Sequence, residues 1–220
     1  MGFVVAIDGP AGSGKGTVTK LVGEKLGLVY IDTGATFRCV ALDMLQKNIK
    51  IEEENKIEDM LEKIDIDMKK DGKIFLNGEE VTTRIRENDV NEFVSQISTL
   101  KIVRNKLLKI QRNIADGKNV IMEGRDIGTV VFPDADVKIY LDASAEERAN
   151  RRVKQNEEKG IETSYEEVLK NIIDRDKRDS TREIAPLKKS EDAIYIDSTN
   201  MTIEEVGAEI VKTIMKKGMS

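Results

Sequence analysis

Residues 9 to 17 read GPAGSGKGT and follow directly on the apolar run Phe3-Val4-Val5-Ala6-Ile7 and Asp8. A β-branched run, a glycine-rich turn and a helical pattern in that order dictate a strand, a tight loop and a helix, with successive backbone N–H groups converging on one point. Polyphosphate fits such a point. Gly9, Gly12, Gly14 and Gly16 let the backbone curl close to oxygens, with Pro10, Ala11 and Ser13 completing the loop; Lys15 can reach terminal phosphates and the Thr17 hydroxyl can hold Mg²⁺. The pattern G-x-x-x-x-G-K-[ST] nevertheless fails by one residue, because Gly16 stands where the hydroxyl belongs and Thr17 comes one place later. A glycine-rich turn that merely caps a core helix is the competing reading, and the ordered lysine and helix argue against it.

Further apolar runs, Asn119-Val-Ile-Met122, Val137-Lys-Ile-Tyr-Leu141, Ala193-Ile-Tyr-Ile196 and the weaker Leu28-Val-Tyr-Ile31, alternate with helical patterns. That rhythm predicts parallel strands joined by crossover helices in an α/β fold. Ser144-x-x-Glu147, Ser164-x-x-Glu167 and Thr202-x-x-Glu205 have the form of capping boxes at helix starts. Val94, Ile97, Val103, Leu107, Ile110 and Ile114 keep helical spacing, with a break expected near Thr99-Leu100. Residues 64 to 85 break the rhythm: they alternate in polarity and contain Asp71-Gly72 and Asn77-Gly78, so three short antiparallel strands with tight turns are expected there. The preceding IEEENKIEDMLEKI reads as a solvated amphipathic helix.

The 220 residues suit a single domain with elaborations, and the net charge of −5 gives no overall field for nucleic acid or anionic lipid. Neither a nucleic-acid polymer nor a membrane is expected as partner. Cys39 is the single cysteine and histidine is absent, which excludes an intramolecular disulfide, a Cys/His metal cluster and any histidine-based nucleophile triad. Chemistry must be electrostatic or carboxylate-based, and a cytoplasmic monomer is expected. Phosphoryl transfer tolerates the lack of histidine, since positioning and charge neutralisation carry most of it. A switch GTPase loses ground because the nearest base-reading candidates, NKIE at residue 55 and NKLL at residue 105, fail the N-K-x-D pattern.

Arginines mark where an acceptor would sit. Arg38 follows YIDTGATF, Arg125-Asp126 follows a strand, Arg148, Arg151 and Arg152 lie about one helical turn apart, and Arg175, Arg178 and Arg182 step along DRDKRDSTR as if on one helical face. Exposed i,i+4 pairs of little energetic weight are the alternative for any one of them. Three arginine-bearing stretches at or beyond strand ends favour ligand binding there, where open α/β sheets take their ligands.

IDGPAGSGKGTV at residue 7, YIDTGATFRCVAL at 30, GRDIGTVVFPDADVKIYLDAS at 124 and RDKRDSTREIAPL at 175 together resemble bacterial cytidylate kinases of the nucleoside monophosphate kinase family, in order and over nearly the whole chain. The resemblance implies a P-loop NTPase core with a five-stranded parallel sheet (about 1–38, 100–143 and 166–220), a monophosphate-binding part with a small antiparallel β insert (about 39–99) and a helical lid (about 144–165). It implies ATP along Gly9 to Thr17 with Mg²⁺ at Thr17, and CMP or dCMP at Thr33, Arg38, Ser95, Arg104, Arg125, Asp126, Arg175, Asp179 and Arg182. It places Arg148, Arg151 and Arg152 in the part that closes over ATP, and makes Lys15, Arg125, Arg148, Arg152 and Arg182 the catalytic expectation. Cytosine presents an amino donor beside ring acceptors, so Asp126 and Arg104 suit its edge, with Ser95 as a second acceptor. Arg38, Arg125 and Arg182 suit the acceptor phosphate, and Arg175 with Asp179 the ribose. The chain departs from the family pattern at Phe37, where a tyrosine is common, at Thr33, where some relatives have serine, and at Glu123, where others have aspartate. Another P-loop kinase acting on a different small acceptor is the alternative within enzymes, and a nucleotide-binding switch protein the alternative outside them.

Overall fold

A computed structural model describes residues 2–69, 72–158 and 160–219. Its first half runs β1 (Val4–Asp8), α1 (Lys15–Leu26), β2 (Val29–Asp32), α2 (Thr33–Gln46), α3 (Glu54–Lys63), β3 (Ile66–Met68), β4 (Ile74–Leu76), β5 (Glu79–Glu80) and α4 (Asn88–Ile97). It continues with α5 (Lys101–Ala115), β6 (Val120–Gly124), a π-helical turn (Ile127–Val131), β7 (Val137–Asp142), α6 (Ala145–Glu157), α7 (Tyr165–Thr181), β8 (Ile194–Asp197) and α8 (Ile203–Lys216).

The main sheet has five strands in the order β2-β6-β1-β7-β8, every neighbouring pair parallel. Parallel strands need cover on both faces, and the alternation along β1 supplies it. Val5 and Ile7 join Val18 and Val22 of α1 and Val206, Ile210 and Ile214 of α8; Val4 and Ala6 face the opposite cluster of Val120, Met122, Ile127, Val131 and Phe132. The expected strands all form, with β1, β2 and β8 shifted one residue towards the polar end, β7 extended by one residue there and β6 ending two residues later. That shift matters for the site, because β1, β2, β7 and β8 thereby end on Asp8, Asp32, Asp142 and Asp197 at the carboxyl edge of the sheet.

A second core, built by α2, α3, α4, α5 and the insert, encloses Leu42, Met44, Ile57, Ile85, Ile97 and Leu107. The insert is the expected antiparallel β3-β4-β5 sheet. Asn77 (φ 51°) and Gly78 (φ 87°) both adopt the left-handed region that a tight hairpin turn requires. Of the other proposed turn, Asp71 lies outside the described residues. The break at Thr99-Leu100 separates α4 from α5. α6 and α7 pack on each other through a small cluster of their own, centred on Ala149, Val168 and Ile172.

Two local expectations need correction. Ser144, Ser164 and Thr202 each accept from the N–H three residues on, but only Thr202 and Glu205 complete the reciprocal capping box. Glu147 instead binds Arg151, and the Ser144 N–H donates to Thr199 Oγ1. Nor do Arg175, Arg178 and Arg182 share a helical face: α7 ends at Thr181, Arg182 is its extended C-cap, and exposed Arg178 donates to the Asp174 carbonyl of its own helix.

Because the Thr202 box satisfies two orphan N–H groups at once, Thr202→Ala is expected to cost about 1 kcal/mol, a fall in melting temperature of roughly 2–4 °C for a chain of this size. Ser164→Ala, which like Thr202→Ala removes one side-chain acceptor at a helix start, is expected to cost a similar amount in the same thermal melt; no loss in either variant would refute the capping roles.

Candidate active site

The loop between β1 and α1 is shaped by clearance as much as by φ. Gly9 (φ 152°) brings its backbone so close to β7 that a Cβ would lie 2.0 Å from the Leu141 carbonyl oxygen. Gly14 (φ 85°) caps α1 without a side-chain bond, leaving the helix N-terminus to an anion. Lys15 is buried, and its Nζ donates back across the loop to the Pro10 carbonyl (2.6 Å) and to Ser13 Oγ (3.2 Å). Opposite Gly16 stands the Glu123 carboxylate, with Oε1 3.0 Å from where a Cβ would sit. A side chain at position 16 would press on the Glu123 carboxylate, which would have to give by a few tenths of an ångström, so glycine sits there with the least strain. Thr17 lies exposed one place further on.

Charged groups from distant segments meet at the same sheet edge. Arg125 Nε pairs with Asp179 Oδ2 at 3.0 Å; Asp179 Oδ1 lies 3.9 Å from Arg182; Arg182 lies 3.7 Å from Asp126 Oδ1; and Asp126 Oδ2 accepts from Arg104 at 3.1 Å. This chain of alternating charge connects five of the nine residues expected to hold a nucleoside monophosphate. Arg104 also donates to the Ser98 carbonyl at 2.6 Å, and its guanidinium lies 5.2 Å from the centre of the Phe37 ring, a cation–π contact that needs no tyrosine hydroxyl. Arg182 keeps one buried terminal nitrogen without a hydrogen-bond partner, and Arg38 a buried Nε.

Arg38 stands apart from that chain, paired at 2.7 Å with Asp32, the carboxylate that also caps α2 at Ala35. Thr33 at the start of α2 donates to the Glu123 carbonyl. Arg175 is exposed, with Arg125 and Asp179 as charged neighbours. Ser95 is not brought into the network: its hydroxyl donates to the Glu92 carbonyl in its own helix.

The three α6 arginines differ sharply. Arg148, with only 5 % of its side chain exposed, uses its guanidinium fully on the Ala143 carbonyl, the Ala11 carbonyl and Asp176. Arg151 spans Glu147 and Ser198. Arg152 is exposed, and no described residue is bonded to it.

Sequence reasoning passed over Asp8, which is buried and accepts from the Ile127 and Gly128 N–H groups, both at 2.8 Å. It also left Asp32 and Asp176 without roles, although both lie inside the quoted motifs. Tyr30 donates to Glu123, a pairing no local spacing announces.

A profile of the family described as Cytidylate kinase matches residues 5–216. The chain belongs to the cytidylate kinase family. The Cytidylate kinase of Fusobacterium nucleatum is 52% identical over 214 residues, covering 97% of this chain and 98% of that protein. The Cytidylate kinase of Thermotoga maritima is 44% identical over 218 residues, covering 99% of both. Among solved structures, an uncharacterized protein from Eubacterium ventriosum superposes with a TM-score of 0.55 at 12% identity, covering 97% of this chain and 98% of its own, a likeness of fold alone. No described helix is long and apolar enough to cross a membrane.

Within this cytidylate kinase site, burial sets the electrostatics. Desolvation, reinforced by Arg125, pulls the Lys15 ammonium well below its ordinary value, while Glu123 and Asp8 oppose the shift. Desolvation and then the nearby Asp32 push Glu123 up, with Lys15 and the Tyr30 hydroxyl pulling the other way. Arg182 is lowered to about 10 by burial and then by the like charge of Arg104. Such a collection of desolvated cations is stabilised by an anion placed among them.

Burial raises Asp8 to about 6 from 3.8, against the two backbone N–H groups that favour its ionised form. The folded chain therefore binds this proton more tightly than the unfolded chain; the resulting stabilisation is fully present below 3.8 and is lost as pH rises through about 6. Relative to Asp8→Asn, which has no such titration, wild-type stability is expected to gain up to about 3 kcal/mol between pH 7 and pH 4. Urea unfolding across that range measures it, and a flat difference would return Asp8 to an ordinary carboxylate.

Proposed function

We propose that this cytidylate kinase transfers the γ-phosphoryl group of ATP to CMP or dCMP, giving ADP and CDP or dCDP, with the site residues divided between donor and acceptor as follows. The observation that carries the reading is the charge chain from Arg125 through Asp179, Arg182 and Asp126 to Arg104, which begins beside Lys15 electrostatically and ends on a carboxylate–guanidinium pair suited to a cytosine edge. Asp126 accepts from the cytosine amino group and Arg104 donates to the ring acceptors. Uracil has an oxygen where cytosine has its amino group, and an oxygen facing a buried carboxylate is strongly disfavoured.

Arg38, Arg125 and Arg182 hold the acceptor phosphate. Arg38 and Arg182 have buried nitrogens left without hydrogen-bond partners, and a phosphate oxygen would satisfy them. Arg175 and Asp179 serve the ribose, and Thr33 and Ser95 border the monophosphate. An anionic phosphate oxygen attacks in line, so no general base is required, which accords with a chain that has no histidine. Lys15 turns from the Pro10 carbonyl to the donor phosphates, where the added negative charge restores its own.

Mg²⁺ fits the donor set, because Thr17, next to Gly16 in sequence, and Glu123, next to it in space, offer hard oxygens and no described group of three or more acidic, Cys or His residues forms an all-protein cage. Bound through these oxygens and the phosphates, it would neutralise charge on the transferred group.

Among the lid arginines, the free guanidinium of Arg152 is assigned to the donor phosphates, and Arg148 to holding the loop at Ala11 against α6 and α7. The small separate cluster between α6 and α7 supports a division into core, monophosphate-binding part and lid, the last closing to exclude water. With a net charge of −5 and a single cysteine, the chain is read as a cytoplasmic monomer.

ADP formation measured with CMP, dCMP, UMP, AMP and shikimate is expected to favour CMP or dCMP; preference for any other acceptor would overturn the base reading. Lys15→Ala should lower kcat by roughly 10²–10³ with the fold retained. Asp126→Ala should lower the CMP:UMP selectivity at least about tenfold. Arg152→Ala is expected to lower kcat at unchanged melting temperature, whereas Arg148→Ala lowers both; a melting temperature unchanged in Arg148→Ala would contradict its structural assignment.

A further inference from the structure

The π-helical turn Ile127–Val131 begins immediately after Asp126, and its conformation is held from outside. Asp126 is its N-cap in position only, since its own side chain makes no capping bond. The Asp126 carbonyl accepts from both Val130 N–H (2.9 Å) and Val131 N–H (3.1 Å), and the Phe132 N–H donates to Ile127 O at 2.7 Å. The turn's own Thr129 hydroxyl is buried without a partner. Wide turns of this kind are intrinsically unfavourable and collect at functional sites.

Two charged side chains compensate at its two ends. At the first end the orphan N–H groups of Ile127 and Gly128 both donate to Asp8, the residue directly before Gly9. At the other end Arg112 of α5 donates from Nε to the Val131 carbonyl (2.8 Å) and from a terminal nitrogen to the Val130 carbonyl (3.1 Å). An anion on free N–H groups and a cation on free carbonyls match the dipole of the turn at each end, with charge-assisted bonds. The same helix α5 carries Arg104, the partner of Asp126, two turns earlier.

We infer that Asp8 and Arg112 are positioning residues that clamp the Ile127–Val131 turn and so fix the Asp126 carboxylate, relative both to the phosphate loop and to Arg104, for acceptor-base selection. The inference rests on the reading of Asp126 as the base-contacting carboxylate. Neither residue is assigned a contact with the acceptor. Asp8 ties the turn to the donor loop through one residue of chain, and Arg112 ties it to the helix of Arg104, so both halves of the base reader share one frame.

The test compares CMP:UMP ratios of kcat/KM, KM for CMP and KM for ATP in the full-length wild type and in Arg112→Ala, Arg112→Lys and Gln111→Ala. Gln111, the neighbouring residue on α5, makes a buried bond to Thr36 outside the turn, and its loss reports damage that is merely structural. Arg112→Ala is expected to raise KM for CMP and lower the CMP:UMP ratio about tenfold, since a displacement of 1 Å can cost up to ~100-fold. KM for ATP should stay within twofold, and Arg112→Lys should recover part of the ratio. If Arg112→Ala keeps the wild-type ratio within twofold, or if Gln111→Ala at a comparable loss of melting temperature lowers the ratio equally, the clamp is refuted. Asp8→Asn, which keeps shape but cannot accept from two N–H groups, repeats the test from the other end if Arg112→Ala fails to fold. If the wild type itself prefers another acceptor, the base reading fails separately, and the clamp stands or falls on whether KM for that acceptor rises in Arg112→Lys and Asp8→Asn but not in Gln111→Ala.

Discussion

A guanidinium withdrawn from water must lie against a carboxylate, and most of the site's geometry follows from that requirement. Arg104 and Arg182 are each only 8 % exposed in their side chains, and Asp126 lies between them as their shared counter-charge. Asp179 does the same for Arg125 and Arg182. Five charged side chains from α5, the end of β6, the following turn and α7 are thereby forced into one arrangement. There is one more arginine than aspartate in the chain, so it carries a surplus of positive charge at the edge where the parallel strands end. A cation-rich pocket with unfilled donors is a poor resting arrangement for stability and a good one for a bound anion, which is the usual compromise at functional sites.

What was legible in the sequence is what depends on near neighbours. The β-branched runs, the loop, the break between α4 and α5, and the Asn77-Gly78 turn all rest on interactions within a few residues, and each forms where its pattern lies. The capping boxes show how local rules lose: Glu147 has the spacing to cap Ser144, but Arg151 one turn on is a charged and therefore stronger partner. The supposed arginine face along DRDKRDSTR failed for a related reason. Arg182 leaves the helix to donate to the Ala185 carbonyl and to approach Asp126, contacts that no helical periodicity contains.

Long-range pairing was illegible in principle. Asp8 meets Ile127 across 119 positions, and Arg148 meets Ala11 across 137. Both become neighbours only because β1 lies between β6 and β7 in the sheet. Spacing identified Arg148 as a residue of interest but could not say that the Ala143 and Ala11 carbonyls and Asp176 already use its guanidinium. The identities Arg104 and Asp126 were recoverable from resemblance, whereas their common support by Asp8 and Arg112 required the fold.

Glu123 borders the space that a side chain at position 16 would fill. With Oε1 3.0 Å from the vacant Cβ position, and Tyr30 and Thr33 engaging the glutamate's side chain and backbone carbonyl, the carboxylate has little room to retreat. The two positions are therefore coupled by volume. A hydroxyl-bearing residue at position 16 gains room wherever residue 123 is shortened or turned away, so the placing of that hydroxyl is a matter of volume as well as of chemistry.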